Sequence, residues 1–392
     1  MRLNLPGGVI ALGFVSLFMD ISSEMIHGLL PLFVVGTLGA SAAVLGLIEG
    51  LGEATASVVK LISGMMSDRI GRRKPLAVAG YALSALTKPL FAMAGVPGVV
   101  LAARLADRVG KGIRGAPRDA LVADLVPPEQ RGAAYGLRQS MDTVGAFIGP
   151  LAAIALMAAF AGNVRLVFWL AIIPALVAVA VLVIYVREPE ARSAPAARPK
   201  FNRASLAALG PGFWLVVAIG AVLTLARFSE AFLILRASEA GLALVYAPFV
   251  LVVMNVVYAL AAWPLGALSD RIGRHGLLIS GFAVLIFADL LLAFSPGLWG
   301  VLAGVAVWGL HMALTQGLLA AEVAAAAPTN LRATGFGIFN LVTGMALLLA
   351  NGLAGWLWAV QGAAVAFSAG AGFAAAGLFG LAVLARRRKA TR

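Results

Sequence analysis

The hexapeptide Ser-Asp-Arg-Ile-Gly-Arg occurs twice in the chain, from Ser67 to Arg72 and again from Ser269 to Arg274, one half-chain apart. Each copy follows a long apolar run containing a glycine just before the motif, Gly64 or Gly266, and opens onto another apolar run. A second landmark repeats with it. Pro128-Glu129-Gln130-Arg131-Gly132 continues to Tyr135-Gly136, and Pro328-Thr329-Asn330-Leu331-Arg332 continues to Phe336-Gly337. Asp68 stands as far from Arg131 as Asp270 does from Arg332, to within one residue. Two unrelated motifs that keep their spacing in both halves mark a duplicated unit and dictate a two-part architecture.

These units are too apolar for water. Of 392 residues 61% are hydrophobic and 12% charged, more apolar surface than a soluble domain of this length can bury. Runs of about 20 residues, each able to cross about 30 Å of hydrocarbon as a helix, tile the sequence. Spans are predicted at 8–36, 42–65, 75–95, 98–125, 132–160 and 164–186, then at 211–235, 243–267, 276–294, 297–324, 334–359 and 363–385. The expected fold class is an all-α membrane protein with about twelve transmembrane helices in two pseudo-symmetric six-helix bundles. Residues 1–186 and 207–392 form the bundles, and the Pro-, Ala- and Arg-rich stretch 187–206 links them.

A net charge of +13 would suit nucleic acid if the bases were clustered. Instead they fall on alternate connections: Arg69, Arg72, Arg73 and Lys74, then Arg131, then Arg187 to Arg203, Arg271 and Arg274, Arg332, and Arg386 to Lys389. By the positive-inside rule both termini and the linker are expected in the cytoplasm, with the chain in the cell membrane, the inner membrane of a bacterium. No nucleic-acid partner is expected. The N-terminus reads as an uncleaved start helix. The chain has no cysteine, which excludes disulfides and thiolate metal sites, and no cofactor is expected.

The loop from Gly64 through Ser67-Asp68-Arg69-Ile70-Gly71-Arg72 to Lys74, with its copy from Gly266 to Arg274, resembles the signature loop of the major facilitator superfamily. That superfamily is built from two six-helix halves. Arg108-Val109-Gly110-Lys111-Gly112 is similar to its Arg-x-x-Gln-Gly, with Lys111 where glutamine is usual. Gly145-Ala146-Phe147-Ile148-Gly149-Pro150 resembles the glycine-proline motif of its proton-coupled exporters, although Leu151 to Ala153 lack the trailing glycines. The resemblance implies close helix packing at Gly145, Gly149 and Pro150 that seals one side of the pathway.

The loop motif also has a physical reading. Asp68, at the C-terminal end of its span, opposes that helix's own dipole but suits the N-terminus of a neighbour and a pairing with Arg72. Gly64 and Gly71 permit close approach and tight turning. Gly64, Asp68, Arg69, Gly71 and Arg72, with Asp270, Arg271, Gly273 and Arg274, are read as a conformational latch that breaks when the halves rock. A basic loop that only fixes topology would explain the arginines but not the repeated aspartate.

Charges within membrane spans cost about 2.5 to 3.5 kcal/mol each near the centre, so they are functional candidates. Asp20, Glu24 and His27 lie at i, i+4 and i+7 on the first span, and Glu49, Glu53 and Lys60 lie on the second. Lys88 follows on the third, Arg104, Asp107, Arg108 and Lys111 on the fourth, and Arg138 and Asp142 on the fifth. Such acids and bases neutralise one another only if they converge on a common interior. Asp20, Glu24, Glu49, Glu53, Arg108 and Asp142 are the candidate proton-coupling groups, with Asp20 and Glu24 leading.

Lys88, Arg104, Lys111 and Arg138 are candidates to line the solute cavity, along with Arg227, Glu230, Asn255, His311, Gln316 and Asn340 from the quieter second half. Arg114, Arg118, Asp119 and Asp124 read as a solvated or interfacial network, Arg165 and Glu239 as loop residues, and Glu49 and Glu53 equally as salt-bridge partners of Lys60 and Lys88. Whether any acidic pair holds a metal is left open.

The expected function is secondary transport by alternating access. The leading form is proton-coupled export of a small solute, a drug-like organic compound or a divalent metal. The alternative is proton-coupled uptake of an organic anion or metal chelate. Gly110-Lys111-Gly112 lacks the phosphate-binding loop pattern and no nucleophile and base stand together, so an enzyme is not expected. A membrane sensor would carry an output domain, for which linker and tail are short. The expected partners are a small-molecule or ion substrate, protons and the lipid bilayer, and a monomer suffices because each chain holds both halves.

Overall fold

The computed structural model describes residues 5–70, 72–127, 130–188, 206, 208–272, 274–328 and 331–390, and among them there is no β-strand. In the first half the helices are α1 (Gly7–His27), α2 (Ala42–Ile70), α3 (Lys74–Met93), α4 (Pro97–Asp124), α5 (Arg131–Ala159), α6 (Val164–Leu170) and α7 (Ile172–Tyr185). The second half has α8 (Gly210–Ala226), α9 (Ala231–Glu239), α10 (Phe249–Ile272), α11 (Arg274–Phe294), α12 (Leu298–Ala326), α13 (Arg332–Gln361) and α14 (Ala363–Ala390). Prolines stand in the first turn of α3, α4 and α8, where a missing N–H costs nothing.

Among the described residues ten helical stretches are long and apolar enough to cross a membrane. Two predicted spans are missing from them: 98–125, now α4, because of its charges, and 363–385, whose apolar stretch is the shorter Ala363–Phe379 within α14. The predicted boundaries otherwise agree with the helices to within a few residues, and three spans differ in continuity. After α1 the first span continues through a turn at Leu30–Leu32 into a π-helical stretch, Phe33–Thr37. The sixth is divided at Ala171, whose carbonyl accepts a hydrogen bond from Ser22 Oγ at 2.6 Å.

The seventh, expected to run unbroken over 211–235, is interrupted between α8 and α9. There the Ser229 amide donates to Asn351 Oδ1 at 2.7 Å and Ser229 Oγ accepts from the Ala231 amide at 3.2 Å. Side-chain bonds of this kind replace the helical ladder locally.

The contacts divide the chain into two units. The first comprises Met1–Ala40, Leu51–Ala196 and Ala243–Phe249, and the second Ser41–Gly50, Ala197–Leu242 and Val250–Arg392. In the first, α1 packs on α5 and α7 while α3 packs on α4, α6 and α7. Leu12, Val15, Met19, Tyr81, Leu121 and Leu182 form its buried core. In the second, α11 packs on α12 and α14, and α8 on α13 and α14. Phe213, Val217, Val323 and Leu331 are central to a core cluster there.

The first two and a half turns of α2, through Gly50, belong to the second unit, not to the bundle their sequence position suggests. A side chain on Gly355 would begin 2.6 Å from the Ala42 carbonyl oxygen and 3.0 Å from Ala43 Cα, so only glycine fits that seam.

Glu188, beyond α7, accepts from the Arg73 amide and, at 3.1 Å, from the Lys74 amide, capping the start of α3. Arg73 in turn pairs with Asp124 at the end of α4 and donates to the Ala120 carbonyl at 2.7 Å. A carboxylate at a helix N-terminus satisfies orphan N–H groups and the dipole together. Glu188→Ala is expected to lower stability by about 0.5 to 2 kcal/mol, read as a lower midpoint in thermal unfolding of detergent-purified chain. A midpoint unchanged from wild type would show that the cap contributes nothing.

Candidate transport site

The stripe of charge on α4 organises the first unit. Arg104, Asp107, Arg108, Lys111, Arg114 and Arg118 recur at steps of three and four, so one face of the helix carries all of them. That face meets partners from three other helices. Lys88 of α3 pairs with Asp107 at 3.3 Å and donates to Ser23 Oγ of α1 at 3.3 Å. Arg108 Nη2 lies 3.2 Å from Glu53 Oε1 of α2 and 3.3 Å from His27 Nε2 of α1. Arg104 also bonds His27 Nε2, and His27 Nδ1 is 3.4 Å from Glu24 Oε1. Arg114 bonds Ser84 and lies 4.8 Å over the ring of Tyr81.

Further along, Arg118 Nη2 pairs with Asp119 at 3.0 Å, and Arg138 of α5 bridges Asp142 at 2.5 Å and Asp119 at 3.8 Å. Asp20 faces this end: a side chain on Gly145 would begin 2.9 Å from its Cβ, and its charged neighbours are Asp142, Lys111, Arg114 and Arg118. The coupling candidates Asp20, Glu24, Glu53, Arg108 and Asp142 are therefore brought into one network. Glu49 lies in the second unit, where its Oε2 is 3.2 Å from Ser229 Oγ.

Several expectations need correction. Lys88 lies in a closed ion pair, 1% exposed, rather than on a cavity wall, and its partner is Asp107 rather than a glutamate of α2. Arg114 is buried on an aromatic ring, not solvated. Arg165 is helical, donating to the Ala92 carbonyl at 2.8 Å and lying 5.2 Å over Phe33. Glu239 ends α9 and accepts from Trp358 Nε1 at 2.9 Å. Lys111 is exposed on the charged face.

In the second unit Arg227 and Glu230 flank the break between α8 and α9. Asn255, Gln316 and Asn340 are half-buried on α10, α12 and α13, and His311 is fully buried with Nδ1 2.9 Å from the Gly281 carbonyl oxygen.

Gly71 and Gly273 lie outside the described residues, as do the side chains of Asp68, Arg69, Asp270, Arg271 and Arg274. Arg72 is exposed, and Gly64 faces Ala116 of α4. Tyr81 and Ser84 were not anticipated, yet they share the i, i+3, i+7 stripe of α3 with Lys88, a legible signal. Among the described residues no group of three His, Asp or Glu side chains is placed to hold a metal ion.

A bundle of membrane-length helices around a lattice of paired charges has the architecture of a membrane transporter. The chain belongs to the Major Facilitator Superfamily, whose family model matches residues 12–351. It is 30% identical over 365 residues to an uncharacterized MFS-type transporter of Methanocaldococcus jannaschii, covering 91% of this chain and 90% of that one. A multidrug resistance protein, MdtH of Yersinia pestis, is 33% identical over 138 residues, 35% of this chain and 34% of MdtH. The fold superposes on a crystal structure of the peptide transporter POT with a TM-score of 0.81 at 15% identity, covering 99% of this chain and 96% of that one.

Proposed function

We propose that the protein is a proton-coupled exporter that moves a small organic solute bearing an acidic group by alternating access. The observation that carries this reading is the state of the α4 stripe. Glu53, Asp107, Asp119 and Asp142 each face a lysine or arginine, whereas Lys111 is exposed on the charged face. An exposed ammonium beside neutralised acids attracts an anion and gives a divalent metal no carboxylate pair to share.

Asp20, set against the α5 crossing and near Asp142 and Lys111, is the group proposed to exchange protons with solute. The outward direction is supported by the close crossing of α1 and α5 at Gly145 and Gly149 and by the partial likeness to MdtH. The paired loop motifs around Asp68 and Asp270 are proposed to latch the cytoplasmic side, with both termini on that side. The working unit is proposed to be one chain in the cell membrane.

The test is proton flux in proteoliposomes loaded with a pH-sensitive dye and challenged with organic anions, organic cations and divalent metals. Wild type is expected to give a proton flux on addition of one or more organic anions, and Asp20→Asn to abolish it. Solute movement without protons would remove the coupling reading. Lys111→Gln, which restores the residue usual in the family, is expected to fold normally and to lower anion exchange in counterflow about tenfold, the equivalent of about 1.4 kcal/mol. Unchanged anion exchange in that variant would remove Lys111 as the anion contact.

A further inference from the structure

Asp289 lies on α11 in the second unit, far along the chain from the charged stripe of α4. None of its surface is exposed, and neither carboxyl oxygen has a hydrogen-bond partner. The point where a side chain on Gly370 of α14 would begin is 2.8 Å from Asp289 Oδ2 and 3.0 Å from the carbonyl oxygen of Ala226. The ring edge of Phe228 is 3.2 Å from that same point. Ala226 is the last residue of α8, and Phe228 stands in the break before α9. The carboxyl is therefore set near the C-terminal, negative end of an interrupted helix. A bare carboxylate is strongly disfavoured in such a place, whereas a carboxylic acid brings its own donor.

The surroundings select the cation. Phe228 meets Phe367, Phe232 and Trp308 at ring-centroid distances of 5.2, 5.3 and 5.9 Å. Phe232, Trp308 and Phe367 are fully buried and Phe228 is 3% exposed. An organic cation or a hydrated metal ion would need these rings to part; a proton needs no room. We propose that Asp289 is a proton-binding site of the second unit, releasing and regaining one proton as the break between α8 and α9 rearranges.

The chemistry for release is present. On deprotonation the O–H bond breaks, its electron pair stays on the carboxylate, and the proton passes to a water molecule admitted as the break between α8 and α9 opens. His311 of α12 is another buried polar group of this unit: its Nδ1 faces the Gly281 carbonyl, which can only accept, so the hydrogen is on Nδ1 and Nε2 keeps its lone pair; Gly281 stands about 12 Å before Asp289 along α11. Nε2 is buried without a partner. The indole N–H of Trp308, also buried and without a partner, belongs to a ring 6.4 Å from that of His311.

The other charged groups around this region are Arg227 and Glu230 in the break and Arg236 of α9, which donates to the carbonyls of Leu292 and Ser295 at 2.7 Å each. From α12 there is also Glu322, more than two turns beyond His311. Helix α8 and the stretch Ala363–Phe379 of α14 carry no ionisable side chain.

The proposal rests on the chain being a membrane transporter, and neither on Asp20 as coupling group nor on the solute. It is tested by infrared difference spectroscopy of the full chain in lipid nanodiscs, comparing wild type, Asp289→Asn and wild type with carbon-13 aspartate. The asparagine matches the neutral acid in shape, and the labelled wild type identifies the band if that variant does not fold.

A carboxylic-acid carbonyl band is expected that shifts with the label, is missing in Asp289→Asn, moves in heavy water and disappears reversibly at alkaline pH. The absence of an acid band sensitive to both the label and Asp289→Asn would overturn the proposal. So would a band that neither exchanges nor titrates, which marks a sealed structural acid. Proton flux lost in Asp20→Asn while this band behaves as described would leave both readings standing, and an intact band with no flux in wild type would overturn only the coupling reading.

Discussion

Lys88→Met is expected to destabilise the protein by about 3 to 5 kcal/mol, because it strands the Asp107 carboxylate in an interior it cannot leave. Lys88 and Asp107 are 1% and 2% exposed and 3.3 Å apart. Taking either charge away removes attraction without removing the desolvation of the other. The double replacement Lys88→Met with Asp107→Leu is expected to regain most of the loss, since a packed apolar pair is often as stable as a buried ion pair. The measurement is unfolding of the purified variants in one detergent, by heat and by denaturant. A single-variant loss below about 1 kcal/mol would mean that water reaches the pair and that it behaves as a surface bridge.

The second large effect is steric. Gly149 of α5 sits so close to α1 that an added side chain would begin 2.7 Å from Glu24 Cβ and 2.9 Å from the Ile21 carbonyl oxygen. Gly145, one turn earlier, would place one 2.7 Å from the Leu17 carbonyl oxygen. Gly149→Leu is expected to force the helices apart at a cost of about 1 to 3 kcal/mol and to abolish solute counterflow, because Asp20 and Glu24 ride on the displaced helix. Gly136→Ala, on the same helix with open space around it, is the control and is expected to leave both stability and counterflow unchanged. Counterflow at the wild-type rate in Gly149→Leu would show that the close crossing is not needed for transport.

Much of the architecture was legible because it depends on patterns that repeat. The duplicated loop motifs announced two halves, and apolar run lengths placed nearly every helix. What escaped was structure caused by single side chains acting across the fold. Nothing near Arg227 to Glu230 reads as a helix breaker; the interruption depends on Asn351, more than a hundred residues away, offering its amide oxygen to Ser229. The pairing of Lys88 was also misread. Sequence spacing tells which face of α3 carries it, but not which helix that face meets, and α4 rather than α2 is the neighbour. For the site, the stripe on α4 was visible as a period of three and four. Glu49 shares a helix with Glu53 yet belongs to a different unit, a division that periodicity along one helix does not encode.

The charge on α4 has a consequence for how the protein is made. A segment bearing Arg104, Asp107, Arg108, Lys111, Arg114 and Arg118 will not partition into lipid alone. Its partners Ser16, His27, Glu53, Tyr81, Ser84 and Lys88 lie upstream and have left the ribosome before it emerges, while Arg138, which reaches Asp119, follows on α5. The order of synthesis thus assembles the receiving surface first. Helix α4 enters the bilayer as the closing member of a group already waiting for it, and the insertion machinery must hold α1, α2 and α3 together until it arrives.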